Sequence, residues 1–201
     1  MNETRTHQRD PDRRRALLEA ADAVILREGP GASMAEIAAE AGVSKPILYR
    51  HFGDKSGLYQ TLAERHTRKL AKVIRERFQA EGSIRGRVYG SIDTYLATIS
   101  ANLNLYRFLM HRASAEDTAT HSAMGTMIHG LGKEIAALMI DEGRLHDEAR
   151  GQVWGHAIVG MVQNAGDWWL DNQDVPRETV VESLTDLLLS GLPAAAGAVS
   201  T

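Results

Sequence analysis

Lys45, Tyr49, Arg50, His51 and Lys55 sit close together in the chain and concentrate hydrogen-bond donors, cations and an aromatic hydroxyl in a short span. Such residues, presented on one surface, bond phosphate oxygens and the edges of bases. The stretch that must position them is Ser33–Lys55, SMAEIAAEAGVSKPILYRHFGDK. It reads as two short helices joined by a tight turn, followed by the start of another helix. Ser33 caps the first, with Glu36 three residues on, the spacing of a capping box. Ile37, Ala38 and Ala41 give that helix a face of small apolar residues. Gly42 can take the positive φ that a sharp helix end needs. Ser44 is placed to cap the second helix, and Pro46 falls in its first turn, where a missing amide hydrogen costs nothing.

The second helix divides into faces. Leu48 and Phe52 are four apart and point inward with Val43, while Lys45 with Tyr49, and Pro46 with Arg50, share outer sides. A helix-turn-helix lays such an outer surface in the major groove, with the residues near the helix N-terminus at base edges. His51 and Lys55 follow at the far end, where phosphates lie. An ordinary helical hairpin with a solvated polar face has the same spacing.

The run Ile37-Ala38, Ala41-Gly42-Val43-Ser44, Leu48-Tyr49-Arg50-His51-Phe52 and Asp54-Lys55 closely resembles the DNA-binding signature of tetracycline-repressor (TetR) family regulators. Upstream Leu18, Ala20-Ala21 and Gly29 fall where that family's first helix has them. The resemblance covers about the first 60 residues; the remainder matches in helical character and length. Ile25 replaces the usual aromatic of the first helix and Met34 the usual Thr or Val, and both look like core adjustments. Lys45-Pro46 departs from the common polar residue and Gly on the reading surface itself, so it bears on which DNA sequence is read.

Composition agrees with this reading. The chain has 201 residues, a net charge of −3 and no cysteine, so no disulfide framework and no thiolate metal site is expected. No apolar run approaches the ~20 residues of a membrane span, and MNETRTHQRDPDRRR lacks the apolar core of a secretory signal. A cytoplasmic protein without membrane partners is expected. The charge divides unevenly: residues 1–72 carry 13 Lys and Arg against 10 Asp and Glu, and residues 73–201 carry 10 against 16. The excess over the motif is modest, so the case for nucleic acid rests on placement.

Periodicity predicts an all-α fold of about nine helices. Residues 1–10 read as a polar tail and 12–28 as the first helix, stopped by Gly29-Pro30-Gly31. Arg5, Arg9 and the run Arg13-Arg14-Arg15 are candidates for phosphate or minor-groove contact. Asp54 caps a long helix over 54–80. Further helices are expected over 84–100, 103–113, 120–141, 147–171 and 177–190, with a loop at 114–119. The chain thus reads as a helix-turn-helix domain over 1–53, an effector-binding and dimerisation domain over 54–192, and a flexible tail over 193–201.

The last two helices carry more apolar surface than one end of a small domain readily hides. The resemblance implies that they pair with their copies in a homodimer, through Gly160, Met161, Asn164, Trp168, Val181, Leu184 and Leu188. Burial within one chain is the alternative. The resemblance also implies an effector cavity lined by Tyr95, Ile99, Tyr106, Met110, Met127, Leu131, Trp154 and Ile158, apolar side chains with a few polar groups. Taken singly, each of these residues reads as core.

Catalytic and metal-binding patterns are absent from the sequence. Gly125–Lys133 fails the phosphate-loop pattern because Leu131 follows Gly130 and Glu134 follows Lys133. There is no GxSxG and no HExxH. No enzyme, no cofactor and no metal site is expected. The function expected from the resemblance is a DNA-binding repressor of transcription. It would be released from a palindromic double-stranded operator by a small apolar or amphipathic ligand. Lys45 and Pro46 would meet base edges, and Ser33, Tyr49, Arg50, His51 and Lys55 would meet phosphates. An effector-independent, dimeric architectural DNA-binding protein is the alternative.

Overall fold

The computed structural model describes residues 3–112, 118–141, 143 and 146–191, with side chains described except for 3–10, 111, 112, 118–124, 126 and 127. Every regular element among the described residues is helical. The order is α1 (Glu3–Glu28), a 3-10 turn (Gly29–Gly31), α2 (Met34–Glu40), α3 (Lys45–Phe52), α4 (Lys55–Gln79), α5 (Ile84–Ala101) and α6 (Leu103–Arg107). A π turn (Phe108–Arg112), α7 (Thr118–Asp141), α8 (Glu148–Asp171) and α9 (Arg177–Ser190) follow. The expected all-α fold is what the chain adopts. The expected tail over 193–201 and most of the expected loop at 114–119 lie outside the described residues.

One boundary differs clearly. α1 begins at Glu3, not at Asp12, and carries Pro11 inside it. A proline lacks one amide donor and crowds the preceding turn, so it marks a plausible helix start; here the helix runs through it. The sixth expected helix is also shorter, with the ladder widening into the π turn after Arg107.

The chain divides into two compact units, Met1–Lys69 with Ala101–Met127, and Leu70–Ser100 with Ile128–Thr201. Unit 1 has a continuous apolar core. Leu17, Leu18, Ala21, Val24 and Ile25 of α1 meet Met34, Ile37 and Ala38 of α2 and Leu48 and Phe52 of α3. Leu58, Tyr59, Leu62 and Ala63 of α4 close the core with Leu105, Phe108 and Leu109. The rings of Tyr59 and Phe108 meet edge to face, 4.7 Å between centroids. Ile25 and Met34 are buried, as core adjustments should be. Asn104 closes the end of α1 by donating from Nδ2 to the Leu26 carbonyl at 2.7 Å, satisfying an acceptor the helix leaves open.

Unit 2 is organised by small residues on α8. A Cβ added at Gly155 would lie 2.1 Å from the Gly132 carbonyl oxygen of α7, and one at Gly151 would meet Ile140. Gly166 sits against Tyr95, Leu96 and Ile99 of α5. α9 is held by Arg177 to Asp93 at 2.8 Å and by the buried Val180, Val181 and Leu184. No helix among the described residues is long and apolar enough to cross a membrane.

Candidate nucleic-acid interface

The turn between α2 and α3 forms as its residues require. Ser33 is the N-cap of α2: its hydroxyl oxygen accepts from the Glu36 amide at 3.3 Å, and its own amide donates to Glu36 Oε2 at 2.9 Å. The donors gathered on Glu36 hold its carboxyl below its ordinary value, the Ser33 hydroxyl first and the Ser33 amide second. α2 ends at Gly42 with φ +63, and Val43 then donates back to the Ala38 carbonyl at 2.9 Å. Ser44 occupies the N-cap position of α3 but makes no side-chain cap bond, unlike the expectation. Pro46 stands in the first turn, where its ring costs nothing.

α3 has the expected two faces. Leu48 and Phe52 are buried, whereas Lys45, Pro46, Tyr49 and Arg50 are exposed, Tyr49 at 40 %. His51 and Lys55 are half-buried, and the Lys55 ammonium lies 5.3 Å from the centre of the Tyr59 ring. Lys45, Pro46, Tyr49 and Arg50 are therefore displayed together on one short, well-anchored helix, with Lys55 beyond its end. Ser33 does not join them as a donor. Its single proton goes to Glu36 Oε2 at 2.7 Å, so a phosphate contact through that hydroxyl requires giving up this bond, and it would stand beside a carboxylate.

The corner from α3 into α4 is tighter than the sequence suggested. Gly53 turns the chain with φ +81, and Asp54 Oδ1 accepts from the Gly57 amide at 2.7 Å, the expected cap. A Cβ on Gly57 would lie 2.0 Å from the Phe52 carbonyl oxygen, so only glycine fits there. The signal was a glycine three residues after the cap, in the first turn of a helix, where nothing local calls for one. Further along α4, His66 Nε2 meets Asp22 Oδ1 of α1 at 2.6 Å, with Arg65 Nη1 3.5 Å from Oδ2. His66 counts as apolar-face spacing in the sequence; its partner 44 residues away was not readable.

Two profiles of one family match this chain. That for bacterial regulatory proteins of the tetR family matches residues 17–62, and that for the tetracyclin repressor-like C-terminal domain matches residues 62–200. The chain belongs to the TetR family of transcriptional regulators. It is similar to the HTH-type transcriptional regulator Rv0472c of Mycobacterium tuberculosis, 30 % identical over 94 % of this chain and 80 % of that one. It is also similar to the HTH-type transcriptional activator FasR of Mycolicibacterium smegmatis, 24 % identical over 92 % and 84 %. Among solved structures, FadR of Bacillus subtilis in complex with stearoyl-CoA superposes with a TM-score of 0.72, 16 % identity, and coverage of 89 % of this chain and 98 % of that one. This TetR-family regulator thus pairs a DNA-binding helix-turn-helix with a tetracyclin repressor-like C-terminal domain.

The residues expected at the ligand and dimer surfaces distribute unevenly. Tyr95 and Ile99 meet at Gly166, and Leu131 and Ile158 are half-buried in unit 2. Tyr106 and Met110 belong to unit 1, with Met110 packed on its core. The side chain of Met127 lies outside the described residues. Trp154 is 48 % exposed, and it recurs with Met161 and Trp168 at seven-residue intervals on α8, which keeps the three near one face. A Cβ on Gly160 would touch nothing, Asn164 is exposed, and Trp168 is 54 % exposed. Leu188 is half-buried. Val181 and Leu184, expected at the dimer interface, are instead buried among the chain's own residues and have little surface left to offer a copy.

Proposed function

We propose that this regulator works as a homodimeric repressor in the cytoplasm, released from a palindromic operator by an amphipathic ligand. The observation that carries the reading is the outer face of α3, where Lys45, Pro46, Tyr49 and Arg50 are exposed on a helix whose other face is locked into a core. In this reading residues 1–53 are the DNA-reading domain and 54–192 the effector and dimerisation domain. Lys45 bonds guanine O6 or N7, and Pro46 packs on a thymine methyl. Tyr49, Arg50, His51 and Lys55 bond phosphates and fix register without reading sequence.

The dimer forms through α8 and α9. Val153, Trp154 and Trp168 are 67 %, 48 % and 54 % exposed on one helix, a concentration of large apolar groups that a monomer seldom leaves in water. Trp154 is therefore assigned to this interface with Gly160, Met161, Asn164, Trp168 and Leu188. The ligand lies among the apolar groups of the second domain, Tyr95, Ile99, Leu131 and Ile158 included. A long-chain acyl thioester is the class favoured, because stearoyl-CoA occupies FadR, a protein of the same fold. The ligand acts by preferring the state in which the two reading helices are wrongly spaced, since half-sites about 34–36 Å apart require both heads at once.

The test is selection of random duplex DNA on the purified protein at two salt concentrations, followed by titration of the recovered duplex complex with stearoyl-CoA. The expected result is one palindrome, bound with steep salt dependence and released by micromolar ligand. A palindrome indifferent to acyl thioesters removes the ligand class. Recovery of no consensus favours the effector-independent architectural protein. Repression is separated from activation, the role named for FasR, by a reporter with the operator placed over the promoter.

A further inference from the structure

We infer that Arg14 is a positioning residue for DNA reading, clamping the C-terminal end of α3 to the first turns of α4, and that it does not belong to the phosphate-binding cations of the Arg13-Arg14-Arg15 run. The inference rests on α3 being the reading helix.

Arg14 lies on α1, yet its guanidinium carbon stands 4.9 Å from the centre of the Phe52 ring. Its Nη2 donates to Thr61 Oγ1 at 3.2 Å. The Thr61 hydroxyl spends its own proton on the Gly57 carbonyl at 2.7 Å, which leaves its oxygen lone pairs to accept from Arg14. Phe52 is the last residue of α3, and Gly57 is the residue on which the Phe52 carbonyl presses. One planar cation from α1 thus joins the ring that ends α3 and a hydroxyl two turns into α4. A guanidinium can do this because it stacks on a ring face and donates in its plane at the same time. Arg15, by contrast, pairs with Asp12 and Glu19 on its own helix, at 3.3 and 3.8 Å.

The placement matters because α3 is short. Eight residues do not hold a helix by themselves, so its direction is set by Leu48 in the core and by what grips its ends. Lys45 and Pro46 are at the opposite end from Phe52. At 1.5 Å per residue the lever from Phe52 to Lys45 is about 10 Å, and a tilt of ~10° at the clamp moves Lys45 by roughly 2 Å. That exceeds the ~0.5 Å range over which protein hydrogen bonds are made. Loss of the clamp should therefore degrade discrimination between bases while leaving the phosphate contacts, which tolerate displacement, in place.

Two measurements on the full-length protein decide it. Amide hydrogen exchange needs no DNA: Arg14→Met is expected to speed exchange in the last turn of α3, Tyr49–Gly53, by about tenfold, with α1 and α8 unchanged. In a Phe52→Leu background the same substitution should add little. Anisotropy with the selected operator and a scrambled duplex of equal length is then run at two salt concentrations, well below the melting temperature. Arg14→Met should weaken the operator about tenfold, leave the scrambled duplex unchanged and keep the salt slope, and Arg14→Lys should recover part of the loss. Unchanged exchange overturns the clamp. Equal losses on both duplexes with the slope reduced by about one assign Arg14 to a phosphate instead. A lowered melting temperature with an unchanged operator-to-scrambled ratio leaves Arg14 a stabilising residue only. If selection yields no operator, the reading of α3 fails, while the exchange experiment still tests whether Arg14 grips its end.

Discussion

α3 of unit 1 and α8 of unit 2 sort their residues in opposite ways. α3 buries Leu48 and Phe52 and turns Lys45, Pro46, Tyr49 and Arg50 outward. α8 buries Gly151, Gly155 and Gly166 together with Val159, Trp169 and Leu170, and leaves Val153, Trp154 and Trp168 in solvent. The first pattern is a finished core with a polar working face, suited to a hydrated, charged polymer. The second is a divided helix: the close approach of α7 and α5 takes up Gly151, Gly155 and Gly166, Trp169 is buried, and Trp154 and Trp168 are left for something else to cover. The proposed dimer interface rests on these two exposed tryptophans.

The sharpest way to break this comparison is to fill the glycine contacts. Gly57→Ala and Gly155→Ala would each put a methyl about 2 Å from a backbone oxygen, a clash no side-chain rotation relieves. Each should lower stability by ~2–4 kcal/mol. Gly160→Ala, mid-helix with nothing near its added carbon, should stabilise the monomer by ~0.5–1 kcal/mol. Urea unfolding measures all three. All three tryptophans, Trp154, Trp168 and Trp169, lie in unit 2, so Trp fluorescence isolates that unit. The Gly155 variant should shift it most and the Gly57 variant should act mainly on the circular dichroism of unit 1. Coincident shifts would mean the two units unfold as one.

The next effect belongs to the outward face of α8. Trp168→Ser removes a large apolar group that touches solvent, so chain stability should hold within ~1 kcal/mol. If α8 is the dimer face, the same change should weaken association about thirtyfold or more, as interface tryptophans do. Sedimentation equilibrium across a concentration series reads the two effects apart. A dimer as tight as the parent's would place the interface elsewhere.

How far the sequence carried the argument differs between the same two regions. The capping box of Ser33 and Glu36, the Gly42 turn, the buried Leu48 and Phe52 and the Asp54 cap were all legible, because each is fixed by residues within four positions of one another. What escaped in unit 1 was long-range: Asn104 on the end of α1, Asp22 with His66, and Arg14 on Phe52. In unit 2 almost everything beyond helix boundaries is long-range. Periodicity marks Val181, Leu184, Trp154 and Trp168 alike as apolar, and only the packing of neighbouring helices decides that the first two are buried and the last two exposed. Small residues along α8 permit close helix approach, but the spacing alone does not separate Gly151, Gly155 and Gly166, which a neighbouring helix meets, from Gly160, which has nothing beside it.

On the reading face the expected effects are smaller and split by type of contact. Lys45→Ala should cost about tenfold in operator affinity and relax preference at one position per half-site. Lys55→Ala should weaken all duplexes alike and reduce the salt slope by about one per head. Anisotropy against operator variants at several salt concentrations distinguishes them. Equal, sequence-independent losses for both would remove Lys45 from base readout and leave Pro46 as the sole reader near the start of α3.

The smallest effect tests whether the cap of α2 is held by charge. Glu36 has its carboxyl lowered because the Ser33 hydroxyl and amide both donate to the ionised form. A lowered folded value means the folded state binds its proton less readily than the unfolded chain does. The stabilisation is therefore complete above the ordinary value of 4.5 and is lost as pH falls through the lower, folded one. The carboxylate is exposed, so water and salt weaken the effect. Comparison with Glu36→Ala, rather than with Gln, which keeps a capping box, removes the carboxyl altogether. The melting-temperature gap between the two proteins should be open at about pH 6–7 and should narrow below ~4. A gap that stayed constant into acid would mean that Glu36 supports α2 through packing and helix propensity, and that the geometry at Ser33, not the charge on Glu36, is what fixes the entrance to the helix-turn-helix.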